Sequence, residues 1–526
     1  MRTLPFFAPL AAAALAVLLM TSAAWAQSVT EKATSAPAQV FKAGAATSNI
    51  TPKLGTFINT DRPATHIHDE LHARCLVLDD GKTQLAFAIV DGCITHQEAF
   101  DQAKRRVHER TKFPIDHILI SSTHSHSAPD AIGRPQSDRD PEAQKSLVNR
   151  IVDSQIPDKD PVYYAFLAER IADGIIRAIN NLEPARIGWG KAHLPDHLFN
   201  RRWLMKPGTP LPNPFGGQDQ VKMNPGAGNP NLLKPAGPTD PEVNFISVQT
   251  AAGIPLALLA NYSLHYVGGV PGGDISADYF GAFAVRIGEM LGADRRDRPF
   301  VGMLSNGTSG DVNNTNFLEV RGRQAPYEQI NRVANSLAAV VFKAHQEITF
   351  KNWVPLDVVH RRLELGVRLP TEADLVRARA IVKGAKSFPR MQTPEEVYAR
   401  EAILLSAFAP TVPVYLQAIR IGDLGIAAIP CETFSESGLD LKARSPFPAT
   451  FTIELANGYH GYMPTARQHE LGGYESWRAR SSYLEKNAAA KVVDTHIALL
   501  GELKAKATPP ETPAAKAPPA RKRASE

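Results

Sequence analysis

Residues 115–130 constrain the fold more than any other part of the chain. This stretch reads IDHILISSTHSHSAPD and contains the apolar run 118–120, which predicts a buried β-strand. The strand would carry His124 and His126 to its C-terminal end, where α/β sheets bind ligands. Two imidazoles among small hydroxyl residues indicate a metal site or acid–base chemistry. A pair of partly exposed loop histidines would give the same pattern.

The start of the chain has the pattern of a cleaved secretory signal. A positive Arg2 precedes an apolar run over residues 4–20, and the small-residue motif Ala24-Trp25-Ala26 follows. We therefore expect a signal peptide over residues 1–26 and a secreted or periplasmic mature protein. No other run is long enough to predict a membrane helix.

The end of the chain differs in composition from the rest. Residues 506–526 are rich in Pro, Ala, Lys and Arg and contain little to bury, which predicts a disordered tail. The remainder, residues 27–505, is predicted to form a single large domain. Its composition supports this, because hydrophobic residues at 44% and charged residues at 21% are typical of globular proteins.

Charge and cysteine usage exclude two classes of protein. The net charge of +5 is small for the length, and no basic stripe is interleaved with aromatic residues, so no nucleic-acid partner is predicted. The three cysteines are Cys75, Cys93 and Cys431, and no pair has the spacing of zinc ligands. A disulfide between Cys75 and Cys93 is left open by the sequence.

Alternating strand and helix patterns predict an α/β fold with mixed sheets. Strands over 74–79 and 84–91 flank an Asp-Gly turn, and a charged helix over 97–112 leads into the strand of residues 115–130. Strand, helix and strand together predict a βαβ unit with parallel, buried strands. The most regular helical periodicity lies over residues 163–181.

Two further segments carry specific expectations. Residues 41–52 are predicted to form an edge strand that ends in a turn. Residues 207–241 are rich in Pro, Gly and Asn and are predicted to be an insert without regular structure. Such an insert is typical of a lid or a binding loop, or is simply mobile.

Several apolar strands end at a residue that can bind a metal ion. These residues are His124 with His126, His265, Glu432, and Tyr459 or Tyr462. Zinc takes imidazole and carboxylate ligands, and a catalytic zinc site leaves one position for water. Each residue alone could be an ordinary polar group at a strand end. Their coincidence favours a metal site at the strand ends of an α/β enzyme.

A series of short motifs is spread over most of the chain between the signal and the tail. They are Asn49-Ile50-Thr51-Pro52, Thr123-His124-Ser125-His126-Ser127, Asn200-Arg201, the strand ending at His265, Gly310-Asp311-Val312, Pro430-Cys431-Glu432 and residues 459–474. Together they resemble the neutral/alkaline, non-lysosomal ceramidase family, which shows T-H-T-H-S and P-G-E at two of these places. The resemblance implies a zinc-dependent amidase with a catalytic domain over residues 27–505. The implied substrate is N-acyl-sphingosine (ceramide) or a related N-acyl lipid.

The resemblance also implies roles for individual residues. It makes four residues the ligands of a Zn²⁺ ion: His124, His265, Glu432 and Tyr462. Tyr459 is left as a rival of Tyr462. Around the scissile amide it places His126, Arg201 and Tyr474. A neutral His126 could move the water proton, while Arg201 and Tyr474 could donate hydrogen bonds to the oxyanion.

One departure from the family pattern affects the expected chemistry. Asn313 stands where the family has a serine implicated in catalysis, and an asparagine can orient a water or a carbonyl but cannot act as a nucleophile. Ser309 is a candidate stand-in outside the motif. Two alternatives follow, a zinc hydrolase of a different amide or ester, and a ceramidase-like protein that binds without turnover. The expected partner is a small-molecule or lipid substrate, with peripheral membrane contact as a further expectation and the oligomeric state undefined.

Overall fold

Two β-sheets form the centre of the protein, in a computed structural model that describes residues 39–59, 62–131, 161–295, 297–320, 322–386 and 391–506. The larger sheet is mixed and eight-stranded. Its strands, in spatial order, are Val301–Asn306, Pro255–Tyr262, Glu242–Thr250, Glu183–His193, Lys42–Asn49, His72–Asp79, Gln84–Val90 and Ile118–Ser122. The smaller sheet has the order Leu356–Gly366, Thr411–Ile421, Leu424–Ile429 and Ala449–Glu454.

Helices and short strands complete the described structure. The helices are Gln97–Thr111, Pro161–Asn180, Asp278–Met290, Glu328–His345, Glu372–Gly384, Pro394–Leu405, Ser435–Arg444, Ala466–Leu471 and Ala488–Ala505, with 3₁₀ turns at Ile115–His117 and Tyr474–Ser476. The short strands are Phe57–Ile58, Arg62–Pro63, His66–Ile67, Phe199–Asn200, Arg202–Met205, Val221–Met223, Leu232–Pro235, Asp274–Ile275, Val312–Asn313, Glu432–Thr433 and Tyr462–Met463.

Side-chain alternation along the strands builds two cores on opposite faces of the large sheet. In the strand His72–Asp79, Leu76 and Leu78 pack in the core shared with the small sheet. Their neighbours Cys75 and Val77 point the other way, toward the helices. This division follows from the two-residue period of a β-strand.

The result is a four-layer arrangement. The two sheets share one apolar core, in which Phe87 and Leu259 of the large sheet join Ile426 and Phe451 of the small sheet. Helices cover the outer face of the large sheet, and the helix Ala488–Ala505 covers the outer face of the small sheet. All described residues belong to one compact unit, which confirms the predicted α/β class with mixed sheets in a single large domain.

The predicted βαβ unit is confirmed. Strands Gln84–Val90 and Ile118–Ser122 are parallel neighbours, with Ala86 opposite Ile118, and the helix Gln97–Thr111 connects them. All five residues of Ile118–Ser122 are buried. The apolar periodicity over 163–181 corresponds to the helix Pro161–Asn180.

The prediction of an edge strand over residues 41–52 is wrong. Strand Lys42–Asn49 lies inside the large sheet, paired along its length with His72–Asp79 and at its first two residues with Glu183–His193. Beyond these residues, side chains of the helix Pro161–Asn180 and of Asn181 replace the missing strand. The donors and acceptors are Asn181 to Ala45 O at 2.9 Å, Arg177 to Thr47 O at 2.6 Å and Arg170 to Asn49 O at 3.0 Å.

The prediction that residues 207–241 lack regular structure is also wrong. Strands Val221–Met223 and Leu232–Pro235 flank Arg202–Met205 in a small antiparallel sheet. Trp203 and Met205 pack there against Phe317, which lies far along the chain. A distant packing partner of this kind leaves no periodic pattern in a Pro- and Gly-rich sequence.

Some predictions concern parts of the chain that the structure does not describe. The predicted signal peptide, residues 1–26, and the tail from residue 507 onward lie outside the described residues. Within the described ranges, no helix combines the length and the apolar character needed to cross a membrane. Cys75, Cys93 and Cys431 are all free and buried, so the open question of a Cys75–Cys93 disulfide is answered in the negative.

Candidate metal centre and active site

The candidate ligands are carried to one place by strands of both sheets. His124 follows the strand Ile118–Ser122, and His265 follows Pro255–Tyr262. Glu432 follows Leu424–Ile429 of the small sheet. His124 has a left-handed backbone, with φ at 70°. The chain therefore turns at this residue and does not continue as a strand through both histidines.

Three ligand atoms converge in the buried interior. Nε2 of His124 lies 3.3 Å and Nε2 of His265 lies 3.7 Å from Oε2 of Glu432. The rings of His124 and His265 are perpendicular, with centroids 4.5 Å apart. These side chains are no more than 2% exposed, so a charged carboxylate and two imidazoles share a space without bulk water.

The remaining nitrogen of each histidine is held by the backbone. Nδ1 of His124 lies 3.2 Å from the carbonyl of Cys93, and Nδ1 of His265 lies 3.1 Å from the carbonyl of Ser309. Because a carbonyl only accepts hydrogen bonds, Nδ1 carries the proton in both rings. The lone pairs of both Nε2 atoms are thus directed toward Glu432, as in histidines that bind metal ions.

The residues fit a tetrahedral metal ion. Ligand bonds of 2.0–2.2 Å in tetrahedral geometry place ligand atoms about 3.4 Å apart, close to the two separations from Glu432. Nε2 of His265 and Oε2 of Glu432 are buried and have no hydrogen-bond partner. Such groups are costly to bury unpaired, and a cation between them would satisfy both. The same three residues form a group able to hold a metal ion.

Two tyrosines adjoin the carboxylate. The hydroxyl of Tyr459 donates to Oε1 of Glu432 at 2.8 Å, whereas the hydroxyl of Tyr462 accepts from Arg201 at 3.1 Å. Strand Tyr462–Met463 pairs in parallel with Glu432–Thr433, which places Tyr462 beside the carboxylate. Because Tyr459 already hydrogen-bonds the carboxylate through its hydroxyl, Tyr462 is the better candidate for a fourth ligand.

His126 lies next to the three ligands without being one of them. Its Nε2 is 3.4 Å from Nε2 of His124, and its ring stacks on Tyr266 at a centroid distance of 3.7 Å. Burial, followed by the nearby His124 and Arg201, holds the pKa of His126 well below its ordinary value. The imidazole is therefore neutral near pH 7 and able to accept a proton.

Arg201 is a buried cation fixed on several sides. Its Nε donates to Glu475 at 3.0 Å, and its Nη2 donates to the carbonyl of Gly310 at 2.8 Å and to Tyr462. Burial opposes the charge, but Tyr462 and Glu475 more than offset it and the pKa of Arg201 is raised. Glu475 also accepts from Arg202 at 2.7 Å, so one carboxylate serves two guanidinium groups.

Tyr474 and Asn313 lie farther out. Tyr474 is 37% exposed and packs edge-on against Tyr462. Burial, and next the charge of Glu432, raises the pKa of Tyr474 to about 12, so its hydroxyl stays protonated and can donate. The side chain of Asn313 bonds to Asn224 and to the amide of Thr315. The described structure thus groups Tyr474 with the ligands, but directs the hydrogen bonds of Asn313 elsewhere.

A buried pair behind the ligands was missed as such by the sequence analysis. The hydroxyl of Ser309 donates to Glu454 at 2.6 Å and lies 3.3 Å from Nδ1 of His265. The other oxygen of Glu454 accepts from the amide of Thr433 at 2.8 Å, next to Glu432. Ser309 is therefore a support for His265 and not a nucleophile. The available signal was a single acidic residue within the apolar run 450–455.

Glycine permits the close approach of two segments at this point. A Cβ atom on Gly310 would lie 2.6 Å from the carbonyl oxygen of Glu432. The amide of Gly310 donates to Thr433 at 2.9 Å, and its carbonyl accepts from Arg201. A larger residue here would separate Glu432 from His265, which explains why the loop carries glycine.

Comparison with solved structures reveals a similar fold. No protein-family model matches the chain. The fold is similar to that of the neutral ceramidase from Pseudomonas aeruginosa, with a TM-score of 0.63 and 15% identity over 89% of this chain and 75% of that chain. A ceramidase complexed with C2 is similar at a TM-score of 0.63 and 14% identity, over 89% and 76% of the two chains. The chain therefore has a ceramidase-like fold.

Proposed function

We propose that the protein is a zinc-dependent hydrolase that cleaves the amide of an N-acyl lipid, with N-acyl-sphingosine as the first substrate to test. The observation that carries this proposal is the convergence of His124, His265 and Glu432, two of which have buried atoms without a hydrogen-bond partner. The ceramidase-like fold supports the choice of substrate.

The residues that would hold the zinc ion are His124, His265 and Glu432, with Tyr462 as the proposed fourth ligand. When bound, zinc supplies a water with a pKa of about 7 and polarises a carbonyl. Burial alone would raise the pKa of Glu432, but His124 and Arg201 outweigh it and the pKa is lowered. Glu432 is thus an anionic ligand at neutral pH.

His126 is the proposed general base and acid. It is neutral, partly accessible and oriented by stacking on Tyr266. It can take a proton from the attacking water at one ring nitrogen and return it to the leaving amine. No other neutral histidine among the described residues lies beside the three ligands.

Arg201 and Tyr474 are the proposed donors to the oxyanion. Arg201 keeps its charge in a buried setting, where an interaction with developing negative charge is stronger than in water. Tyr474 contributes a protonated hydroxyl at the exposed side of the group. Glu475 keeps Arg201 in place, because it accepts from the guanidinium at 3.0 Å.

The test is zinc content together with hydrolysis of a fluorogenic N-acyl-sphingosine by the purified protein. We expect about one zinc per chain and turnover. His124→Ala should lose both, because it removes one imidazole ligand. His126→Ala should keep the zinc and lose at least about 100-fold in rate, as general-base catalysis contributes 10²–10⁴-fold. The control is His360→Ala, an exposed histidine of the small sheet, which should behave as wild type.

The outcomes separate the candidate functions. Zinc without hydrolysis of the lipid would favour a hydrolase of another amide or ester, a reading that Asn313 also favours because it stands in place of a family serine. Zinc without turnover on any amide or ester panel would favour a binding protein. Absence of zinc from the wild-type protein would refute the proposed centre.

A further inference from the structure

Three large aliphatic side chains are strongly exposed on a lobe beside Arg201. Leu233 is 54% exposed, Leu318 is 69% exposed and Val320 is 78% exposed. Single exposed aliphatic residues are common on proteins, whereas a group of them on one surface indicates an interaction site. We define the outer lobe as residues 202–236 with residues 313–320.

The two segments of the outer lobe are packed together. The amide of Gly228 donates to the carbonyl of Phe317 at 2.9 Å. A Cβ atom on Gly228 would lie 2.6 Å from Cγ2 of Val320, so the valine rests directly on this glycine. Leu232, the neighbour of Leu233, packs with Phe317 in the small core of the lobe. The exposed aliphatic residues therefore belong to one ordered surface.

The outer lobe is joined directly to the candidate active site. Its first strand, Arg202–Met205, follows Arg201 without a gap. The amide of Asn224 donates to the carbonyl of Arg201 at 2.8 Å. The side chain of Asn313 donates to that of Asn224 at 2.8 Å, which connects both segments of the lobe. Whatever binds to the lobe is held next to the reacting groups.

Basic side chains accompany the aliphatic ones. Lys222, Lys234 and Arg323 are exposed, and none has a carboxylate partner within the described ranges. The acidic Asp219 faces inward, where its carboxylate accepts from Gly473 and Trp477. Of the described residues in the lobe, Glu319 remains as the exposed acid. Aliphatic residues among unpaired cations match the chemistry of an anionic lipid surface.

We propose that the outer lobe docks on anionic lipid bilayers, with Leu233, Leu318 and Val320 entering the interface and the basic side chains facing the headgroups. This inference rests on the proposed function, because an enzyme that cleaves an N-acyl lipid meets its substrate in a bilayer. Docking through this lobe brings Arg201, and with it the metal ligands, to the membrane surface.

The experiment measures binding of the purified full chain to phosphatidylcholine vesicles with and without phosphatidylglycerol, by flotation. Wild type should bind the anionic vesicles, and added salt should weaken binding. The triple variant L233S/L318S/V320S should bind at least tenfold more weakly. K222Q/K234Q/R323Q should lose affinity and most of the salt dependence. The control V40S/I254S/V285S removes three exposed aliphatic residues from elsewhere on the molecule and should bind as wild type.

Hydrolysis of a water-soluble, short-chain N-acyl amide separates this proposal from the function. The L233S/L318S/V320S variant should keep the wild-type rate on that substrate while losing vesicle binding. If wild type binds vesicles through the lobe but hydrolyses nothing, docking stands and the proposed function falls. If wild type does not bind anionic vesicles, or the triple variant binds as wild type does, the docking proposal is refuted.

Discussion

Ser309 supports His265 from behind, and its contribution can be measured separately from catalysis. Its hydroxyl joins the ligand histidine to the buried Glu454, whose other oxygen holds the segment of Glu432 through Thr433. Removing such a supporting group typically lowers metal affinity by 10–100-fold. We predict that Ser309→Ala weakens zinc binding by about that factor, measured by competition with a coloured chelator.

A matched control for this prediction exists on the neighbouring strand. Ser305 is also buried and hydrogen-bonded, to Asn261 and Ala260, but contacts no ligand. Ser305→Ala should therefore keep the zinc affinity of wild type even if it loses some stability. Equal affinities for Ser309→Ala and wild type would show that Glu454 and Ser309 have no positioning role.

At this scale the sequence predicted candidate ligands better than their supports. His124, His265 and Glu432 could be identified because each follows an apolar strand, and strand ends meet at the edge of a sheet. Glu454 and Glu475 could not be assigned, because their partners, Ser309 and Arg201, are more than a hundred residues away in the chain. Such contacts depend on the tertiary fold and leave no local pattern.

Among the elements, the helix Gln97–Thr111 is tied to the turn that carries Tyr459. Nζ of Lys104 is buried and donates to the side chain of Asn457 at 2.8 Å. The amide of Asn457 donates in turn to the carbonyl of Ile120, four residues before His124. The turn has a left-handed Asn457, with φ at 63°. A buried lysine thus joins a helix, a strand end and a turn of the active site.

This tie makes stability depend on pH. Burial lowers the pKa of Lys104 to about 8 from 10.5. Below pH 8 the lysine is charged in both states and its burial costs stability. Between pH 8 and 10.5 the unfolded chain binds more protons than the folded one, so the free energy of unfolding rises with pH. We predict that wild type gains a few kcal/mol on Lys104→Met over this range, at about 1.4 kcal/mol per pKa unit.

Urea unfolding at several pH values between 7 and 10.5 measures this difference. Comparison with Lys104→Met cancels the titration of all other groups. A gap that stays constant with pH would show that Lys104 ionises as an ordinary exposed lysine does.

The sequence predicted elements where the pattern was local. The hairpin Thr411–Ile421 and Leu424–Ile429 and the helix Asp278–Met290 have clear periodicity and were found. Strands Glu183–His193 and Leu356–Gly366 were missed, because several of their residues are exposed and their burial does not alternate regularly. Long partners elsewhere in the sheets stabilise them, and no such partner is visible in a local window.

For the whole molecule, the ligands come from both sheets. His124 and His265 extend from the large sheet and Glu432 from the small one, so metal binding crosses the core between the sheets. We predict that removal of zinc by a chelator lowers the unfolding temperature of the whole domain in a single transition. A site filled to 100 times its Kd stabilises the native state by about 2.7 kcal/mol.

Differential scanning calorimetry with and without chelator tests this prediction. In Glu432→Gln, which replaces an anionic ligand with a neutral amide, the chelator should change the unfolding temperature much less than in wild type. An unchanged wild-type transition would indicate that no metal contributes to stability. Two separate transitions would show that the sheets unfold independently.

The covered strand Lys42–Asn49 has a consequence for behaviour at high concentration. The carbonyls of Ala45, Thr47 and Asn49 are satisfied by Asn181, Arg177 and Arg170. Uncovered carbonyls at a gap in a sheet are a template onto which a strand of another molecule can add. By filling this gap with long side chains, the protein removes a starting point for intermolecular β-aggregation inside its largest sheet.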